Sequence, residues 1–247
     1  GFGPARGERI TQRLSGQDVV FAVGAAAFTY HVEGQGPLLP TGTQLYQLIE
    51  DPAIAAWAPV GTAAVGNVRL GVEELLARPA PMRRATPALR QTPPTPLAPA
   101  PDERMSVAYV MHTLAGLRDR HSIIVEEAPS ARPVIQTWLP IFHSETFFTM
   151  CSGGLGHSMP AAVGIALAKP QQKVIAVIGD GSSMYAIQAL WSAAHLRLPI
   201  TFVILKNRRY AALQDFAAVF GYQAGEQVEG TDLPNLDFVA LAQGQGC

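Results

Sequence analysis

The chain has 247 residues, 48% of them hydrophobic and 15% charged, and its formal net charge is −1. This length and composition allow one large domain or two smaller ones, and they exclude the clustered basic excess that a nucleic-acid-binding protein needs. The longest apolar runs, such as VIAVI at residues 174–178, are far too short to cross a membrane. The two cysteines, Cys151 and Cys247, predict neither a disulfide framework nor a CxxC site. We therefore expect a soluble cytoplasmic protein without nucleic-acid or membrane partners.

The termini predict that the chain is part of something longer. The sequence begins at Gly1 without a methionine, has no signal-peptide pattern, and ends abruptly in Gly-Gln-Gly-Cys.

The first part of the chain has the pattern of an incomplete α/β layer. Residues 18–24 (DVVFAVG) predict a buried parallel strand, residues 44–50 (QLYQLIE) a second strand, and residues 70–76 a helix. Residues 79–104 are rich in proline and poor in large apolar side chains, which predicts an extended linker. We therefore divide the chain into a partial central α/β domain at 1–78, a linker at 79–104 and a second domain at 105–247.

The second domain alternates helices and strands, which predicts a parallel sheet with helices on both faces. The predicted helices are residues 105–117, 160–168, 185–196 and 210–220. The predicted strands are residues 122–126, 173–179 and 200–206.

Polar and glycine-rich segments follow these strands, where parallel α/β sheets bind ligands. Gly179-Asp180-Gly181-Ser182 allows a sharp turn, a close backbone approach and a hard oxygen donor. Asn207 ends the next strand, so Asp180 and Asn207 should lie side by side. Their oxygens, together with those of a diphosphate, would suit Mg²⁺.

A third segment, Gly153-Gly154-Leu155-Gly156, offers bare backbone before a helix. Each of the three segments alone is common in ordinary turns and loops, but their order and spacing together favour a ligand site. Neither a GxGxxG fingerprint nor a GxxxxGK[ST] phosphate loop is present.

GDGS followed by Asn207 resembles the metal-and-diphosphate motif of thiamine diphosphate enzymes. Residues 151–212, with GGLGHSMPAAVGIALA and KVIAVIGDGSSMYAIQALW, resemble the benzoylformate decarboxylases, as do the runs VFAVGAAAFTYH and LPNLDFVALAQGQG. The resemblance implies a thiamine-diphosphate-binding fold and the Mg²⁺-dependent, non-oxidative decarboxylation of a 2-oxoacid to an aldehyde and carbon dioxide.

The resemblance also implies a role for each matching residue. The metal ligands would be Asp180, the Asn207 side chain and the backbone carbonyl of Arg209. The cofactor contacts would be Ser130, Gly181 and Ser182 at the diphosphate, the Gly153 carbonyl at the aminopyrimidine, and Leu155 between the two rings. His31 would act in proton transfer, and Leu213 and Phe216 would line the substrate pocket.

The chain also departs from the family pattern. Arg209 stands where a small residue or threonine is usual, and Pro129 replaces a hydroxyl residue near the diphosphate. No domain bearing the family's activating glutamate precedes Gly1, so we expect the isolated chain to be inactive or nearly so, and the full-length enzyme to be a homo-oligomer.

Three alternatives stay open from the sequence. They are an acetolactate-synthase-like or aldehyde-lyase thiamine enzyme, a non-catalytic cofactor-binding remnant, and an ordinary doubly wound domain that binds another phosphate ligand.

Overall fold

The computed structural model describes residues 7–27, 36–82, 93–150, 153–223 and 225–247. The chain divides into two compact units, one within Pro4–Thr92 and the other within Pro93–Cys247. In its described parts, 79–82 and 93–104, the proline-rich segment contains neither helix nor strand. The three-part division at residues 78 and 104 stays a prediction.

The first unit contains a three-stranded parallel sheet in the order β1-β2-β3. The predicted strands and helix of this region are confirmed, whereas α1, α2 and β3 were not predicted. The elements are α1 Gly7–Leu14, β1 Val19–Val23, β2 Gln44–Ile49, α2 Pro52–Ala56, β3 Thr62–Val65 and α3 Val68–Leu76.

Strand β1 is parallel as predicted, but the prediction that it is buried is wrong. Val19, Phe21 and Val23, which alternate along the strand, are 47%, 48% and 39% exposed. In the described sheet β1 is an edge strand, and β2 supplies the buried positions, among them Leu45 and Leu48. A continuous apolar run does not reveal which of its two faces is covered, since both faces of the strand carry similar side chains.

The second unit contains a four-stranded parallel sheet in the order β5-β4-β6-β7. After β4 the chain forms β5 on one side of β4, and it then returns to form β6 on the other side and β7 beyond β6. The strand order therefore reverses between β4 and β6, the two central strands. The elements are α4 Val107–Leu117, β4 Ile123–Glu127, α5 Arg132–Trp138, β5 Phe147–Thr149, α6 Ser158–Ala168, β6 Val174–Gly179, α7 Asp180–Ser183, α8 Ala189–His195, β7 Ile200–Leu205, α9 Ala211–Ala217 and α10 Phe238–Gly244.

Helices cover both faces of this sheet, as the sequence predicts. On one face Ile123 and Val125 pack with residues of α6 and α8, and on the other Ile124 packs with residues of α4 and α5. Strand β6 is buried along residues 174–178 because its alternate side chains enter the two cores. Full burial of each such side chain contributes about 1.5–3 kcal/mol, so the two central strands are a rigid base for the loops at their ends.

The last two predicted helices differ from the structure in length. Residues 185–188 do not join α8, because Tyr185 and Ala186 make tight backbone bonds to Ser182 and Ser183, three residues back. Helix α9 ends at Ala217 and continues as a 3₁₀ turn to Phe220, where Gly221 takes a left-handed φ of 93°. The elements α5, β5, α7 and α10 were not predicted.

Candidate functional site

The predicted ligand-binding segments lie at one edge of the second sheet. Each follows the carboxyl end of a different parallel strand: Gly153 follows β5, Ser130 follows β4, Asp180 follows β6 and Asn207 follows β7. The register pairs Glu127 with Ile178 and Gly179 with Leu205, so the strand ends are level with one another. This is the edge, next to a reversal of strand order, at which parallel α/β sheets bind ligands.

Asp180 is a buried carboxylate held by backbone N–H groups. It is 3% exposed, its Oδ1 accepts from Gly181 N at 2.9 Å and its Oδ2 accepts from Arg208 N at 2.6 Å. The Asp180 carbonyl accepts from Ser183 Oγ at 2.7 Å. Each carboxylate oxygen has more than one acceptor site, so both can still ligate a cation.

Residues 207–209 are fixed by their own turn and by a neighbouring segment. Asn207 Oδ1 accepts from Arg209 N at 3.1 Å, and an isolated antiparallel bridge pairs Arg209 with Asp232. The Arg208 carbonyl accepts from Leu233 N at 2.7 Å, whereas no backbone N–H of the described residues is bonded to the Arg209 carbonyl. The Arg209 carbonyl is therefore available as an oxygen donor. The exposed Asn207 directly precedes Arg208, whose N–H is bonded to the Asp180 carboxylate.

Arg208 has a left-handed backbone conformation, with a φ of 63°. A non-glycine residue there costs about 1–2 kcal/mol. The conformation directs the Arg208 N–H at the Asp180 carboxylate, and this bond offsets part of the strain. The sequence alone does not predict this role of Arg208, because residue type does not determine the φ angle of an arginine.

The glycine-rich loop is anchored by a buried glutamate at the end of β4. Glu127 is 1% exposed, and its two carboxylate oxygens accept from Gly156 N at 2.7 Å and Ser158 N at 2.6 Å. Gly153 and Gly156 have φ values of 76° and 92°, which glycine adopts without strain. Glu127 therefore fixes the loop that presents the Gly153 carbonyl and Leu155, and sequence reasoning missed it.

A second buried carboxylate holds the turn that carries Ser130. Glu126 is fully buried and pairs with Arg132 Nε at 2.8 Å, while its Oε1 accepts from Ala128 N at 2.6 Å. Thr149 Oγ1 donates to Glu126 Oε2 at 3.0 Å, which joins the ends of β4 and β5. Ser130 is exposed in this turn.

Two tyrosines pack against the glycines of the site. A Cβ on Gly181 would lie 2.5 Å from Tyr210 Cε1, and a Cβ on Gly156 would lie 2.8 Å from Tyr185 Cβ. The tyrosine rings meet edge to face, with centroids 6.4 Å apart. Burial, followed by the nearby Tyr185 and Asp180, raises the pKa of the Tyr210 phenol above its ordinary value. Tyr210 is therefore a neutral hydrogen-bond donor at neutral pH.

Two further predicted residues, Leu213 and Phe216, belong to the helix that follows the Asn207 turn. Leu213 and Phe216 lie on α9, where Leu213 is 56% exposed and Phe216 is half-buried. His31 lies outside the described residues.

The chemistry of these donors fits a hard cation with an anionic ligand. Across the described ranges no cluster of three or more His, Cys, Asp or Glu side chains is arranged to hold a metal. A cation at this edge would therefore need amide and carbonyl oxygens beside the Asp180 carboxylate, and these are ligands that Mg²⁺ accepts while it keeps positions for phosphate oxygens.

A family model, "Thiamine pyrophosphate enzyme, C-terminal TPP binding domain", matches residues 134–247. This stretch contains the glycine-rich loop, Asp180 and Asn207. Residues 134–247 belong to the thiamine pyrophosphate enzyme family. The α/β fold predicted for this domain is the fold of thiamine-diphosphate-dependent enzymes.

The similarity to thiamine enzymes extends over nearly the whole chain. The chain is 39% identical to the benzoylformate decarboxylase of Pseudomonas aeruginosa over 98% of its own length and 45% of that protein. The solved structure of the thiamine diphosphate-dependent 4-hydroxybenzoylformate decarboxylase of Rhodococcus jostii superposes with a TM-score of 0.87 at 35% identity, over 98% of this chain and 45% of that one. The resemblance to benzoylformate decarboxylases is thus confirmed.

A shorter match is to acetolactate synthase isozyme 2 large subunit of Escherichia coli, 34% identical over 41% of this chain and 18% of that protein. The chain spans less than half the length of each of these relatives. Among the described residues, no helix has both the length and the apolar character needed to cross a bilayer.

Proposed function

We propose that this chain supplies the diphosphate-binding half of a thiamine-diphosphate- and Mg²⁺-dependent decarboxylase, which converts a benzoylformate-like 2-oxoacid to an aldehyde and carbon dioxide. One observation carries the proposal: the buried Asp180 carboxylate, bonded to the backbone of residue 208, meets the Asn207 turn at neighbouring strand ends. The similarity to benzoylformate decarboxylases supports the substrate class.

In this proposal the chain holds the metal and the diphosphate. Asp180, the Asn207 side chain and the Arg209 carbonyl bind Mg²⁺, and its remaining positions are left for phosphate oxygens. Ser130, Gly181 and Ser182 contact the diphosphate. The turn requires glycine at position 181, because a Cβ there would lie only 2.5 Å from the Tyr210 ring.

The glycine-rich loop orients the organic part of the cofactor. The Gly153 carbonyl accepts from the aminopyrimidine, and Leu155 lies between the two rings, while Glu127 keeps the loop in place through its two backbone bonds. When bound, thiamine diphosphate supplies a thiazolium ring that accepts the electrons of the bond to the departing carboxylate. Leu213 and Phe216 line the substrate pocket, and His31 transfers a proton.

Metal-dependent binding tests this proposal. Thiamine diphosphate is titrated into the chain by calorimetry, with Mg²⁺ and with a chelator in its place. We expect binding that requires Mg²⁺ and is abolished by Asp180→Ala. Asp102→Ala, which removes a carboxylate from the exposed proline-rich segment, should bind as the wild type does.

A second variant distinguishes the loss of a metal ligand from misfolding of the chain. Asp180 is buried and bonded to the backbone, so Asn207→Ala removes a metal ligand at an exposed position instead. It should weaken Mg²⁺-dependent binding without changing the free energy of unfolding by more than about 1 kcal/mol. Binding that ignores Mg²⁺, or that survives in both variants, would refute the proposed site.

A second candidate function is an acetolactate-synthase-like condensation, favoured by the match to the Escherichia coli enzyme. It shares the cofactor and metal residues with the decarboxylase. Product analysis of the whole protein, supplied with benzoylformate or with pyruvate, distinguishes an aldehyde from a condensed hydroxyacid.

A further inference from the structure

Tyr185 and Tyr210 connect the three segments that converge at the candidate site. Tyr185 follows the short helix α7 and packs its Cβ against Gly156 of the glycine-rich loop. Tyr210 comes directly after the Asn207 turn and lays its ring on Gly181. The two rings cross at 83°. The loop, the α7 turn and the Asn207 turn are thus in mutual contact through one aromatic pair.

The contacts leave no space between the Tyr210 ring and Gly181, or between the Tyr185 Cβ and Gly156. An added Cβ would lie 2.5 Å from the Tyr210 ring at Gly181 and 2.8 Å from Tyr185 Cβ at Gly156, both shorter than real Cβ contacts. The backbone N–H of Tyr210 donates to the Thr231 carbonyl at 2.7 Å, which fixes the start of α9 beneath the ring. The edge-to-face contact of the two rings connects the Gly156 contact to the Gly181 contact.

We propose that Tyr185 and Tyr210 are positioning residues, an aromatic clamp that sets the distance between the glycine-rich loop and the Asp180–Asn207 pair. This inference rests on the proposed function. The clamp connects the glycine-rich loop, which would contact the cofactor rings, to Gly181 and the Asn207 turn, which would contact the diphosphate and the metal. It therefore sets the distance between these two groups of contacts.

A double-mutant cycle on cofactor affinity tests the clamp. Tyr185→Ala, Tyr210→Ala and the double variant are compared by Mg²⁺-dependent thiamine diphosphate binding. Each single variant should weaken binding about tenfold or more, and the double variant should be little worse than the worse single one, because residues in contact are not additive. Tyr210→Phe, which keeps the ring on Gly181, should restore most of the affinity.

Trp191→Ala is the matched control. Trp191 is as exposed as Tyr185, 57% against 58%, and it stacks on His195 away from the glycines. It should leave cofactor affinity unchanged. Unchanged affinity in Tyr210→Ala, or additive losses in the double variant, would overturn the clamp.

A readout without cofactor separates this inference from the proposed function. Hydrogen exchange at the Gly156 and Gly181 amides should accelerate in Tyr210→Ala and stay at the wild-type rate in Trp191→Ala. If exchange accelerates but the wild-type chain does not bind thiamine diphosphate with Mg²⁺, the proposed function fails and the clamp between the segments stands. If exchange does not change, the clamp is refuted whatever the cofactor does.

Discussion

Glu127→Gln should loosen the glycine-rich loop and destabilise the second unit. The carboxylate of Glu127 accepts two backbone N–H bonds, from Gly156 at 2.7 Å and from Ser158 at 2.6 Å, and it is 1% exposed. A glutamine keeps one acceptor oxygen and turns its amide NH₂ toward the other N–H. One buried N–H is then left without an acceptor.

The magnitude follows from these two bonds. A hydrogen bond to a charged group contributes about 1.5–3 kcal/mol, and leaving a buried donor unsatisfied costs about 1–3 kcal/mol. The neutral amide is less costly to bury than a carboxylate, which offsets part of the loss. We expect the free energy of unfolding to fall by about 2 kcal/mol.

Urea unfolding measures this change in a Trp57→Phe background. The two remaining tryptophans, Trp138 and Trp191, then report on the second unit, which contains both. Glu145→Gln is the control, because this glutamate of the second unit is 76% exposed in a surface pair with Lys169 and its loss should leave the unfolding midpoint unchanged. A Glu127→Gln midpoint equal to that of the wild type, with an equal slope, would show that the two backbone bonds do not hold the loop.

Two further predictions concern buried groups near the same edge. Arg132→Met should lower the free energy of unfolding by about 3–5 kcal/mol, because it leaves the fully buried Glu126 without its cation; adding Glu126→Gln should recover part of the loss in the same urea assay. Because the pKa of Tyr210 is raised, the folded protein binds the phenol proton more tightly than the unfolded chain does. The stability that results is fully present below pH 10.0, the ordinary pKa of tyrosine, and is lost as the pH rises through the pKa of Tyr210 in the folded protein. The free energy of unfolding should therefore fall less in Tyr210→Phe than in the wild type when the pH is raised from below to above 10.0. An equal fall in the two proteins would contradict this reasoning.

The sequence was sufficient to predict five of the seven strands of the described residues, β1, β2, β4, β6 and β7, and the edge at which the polar segments meet. The runs before Asp180 and Asn207 are apolar and β-branched, and the distance between them fits one crossover. Their adjacency therefore follows from the tendency of consecutive strands to be neighbours in a sheet. Strand β5 could not be predicted in this way, because Phe147–Thr149 is only a short run, and its place beside β4 depends on long-range pairing.

The supporting residues of the site could not be predicted from the sequence. Glu127 follows another glutamate at the end of a strand, and nothing local indicates that its partners are the amides of Gly156 and Ser158. The sequence predicts that Tyr185 begins a helix, whereas in the structure it lies in a tight turn, from which it packs against Gly156. In both cases the partner is far away in the sequence, so residue type and spacing carry no information on the contact.

At Arg208 the backbone and the side chain contribute to the site independently. Its N–H holds the Asp180 carboxylate whatever side chain the residue carries, and that side chain is exposed. Glycine at this position would relieve the strain in the folded chain but would also give the unfolded chain more freedom, so the two effects largely cancel. The support of the buried carboxylate is therefore independent of the charge at this position, because it comes from the peptide backbone and not from the guanidinium group.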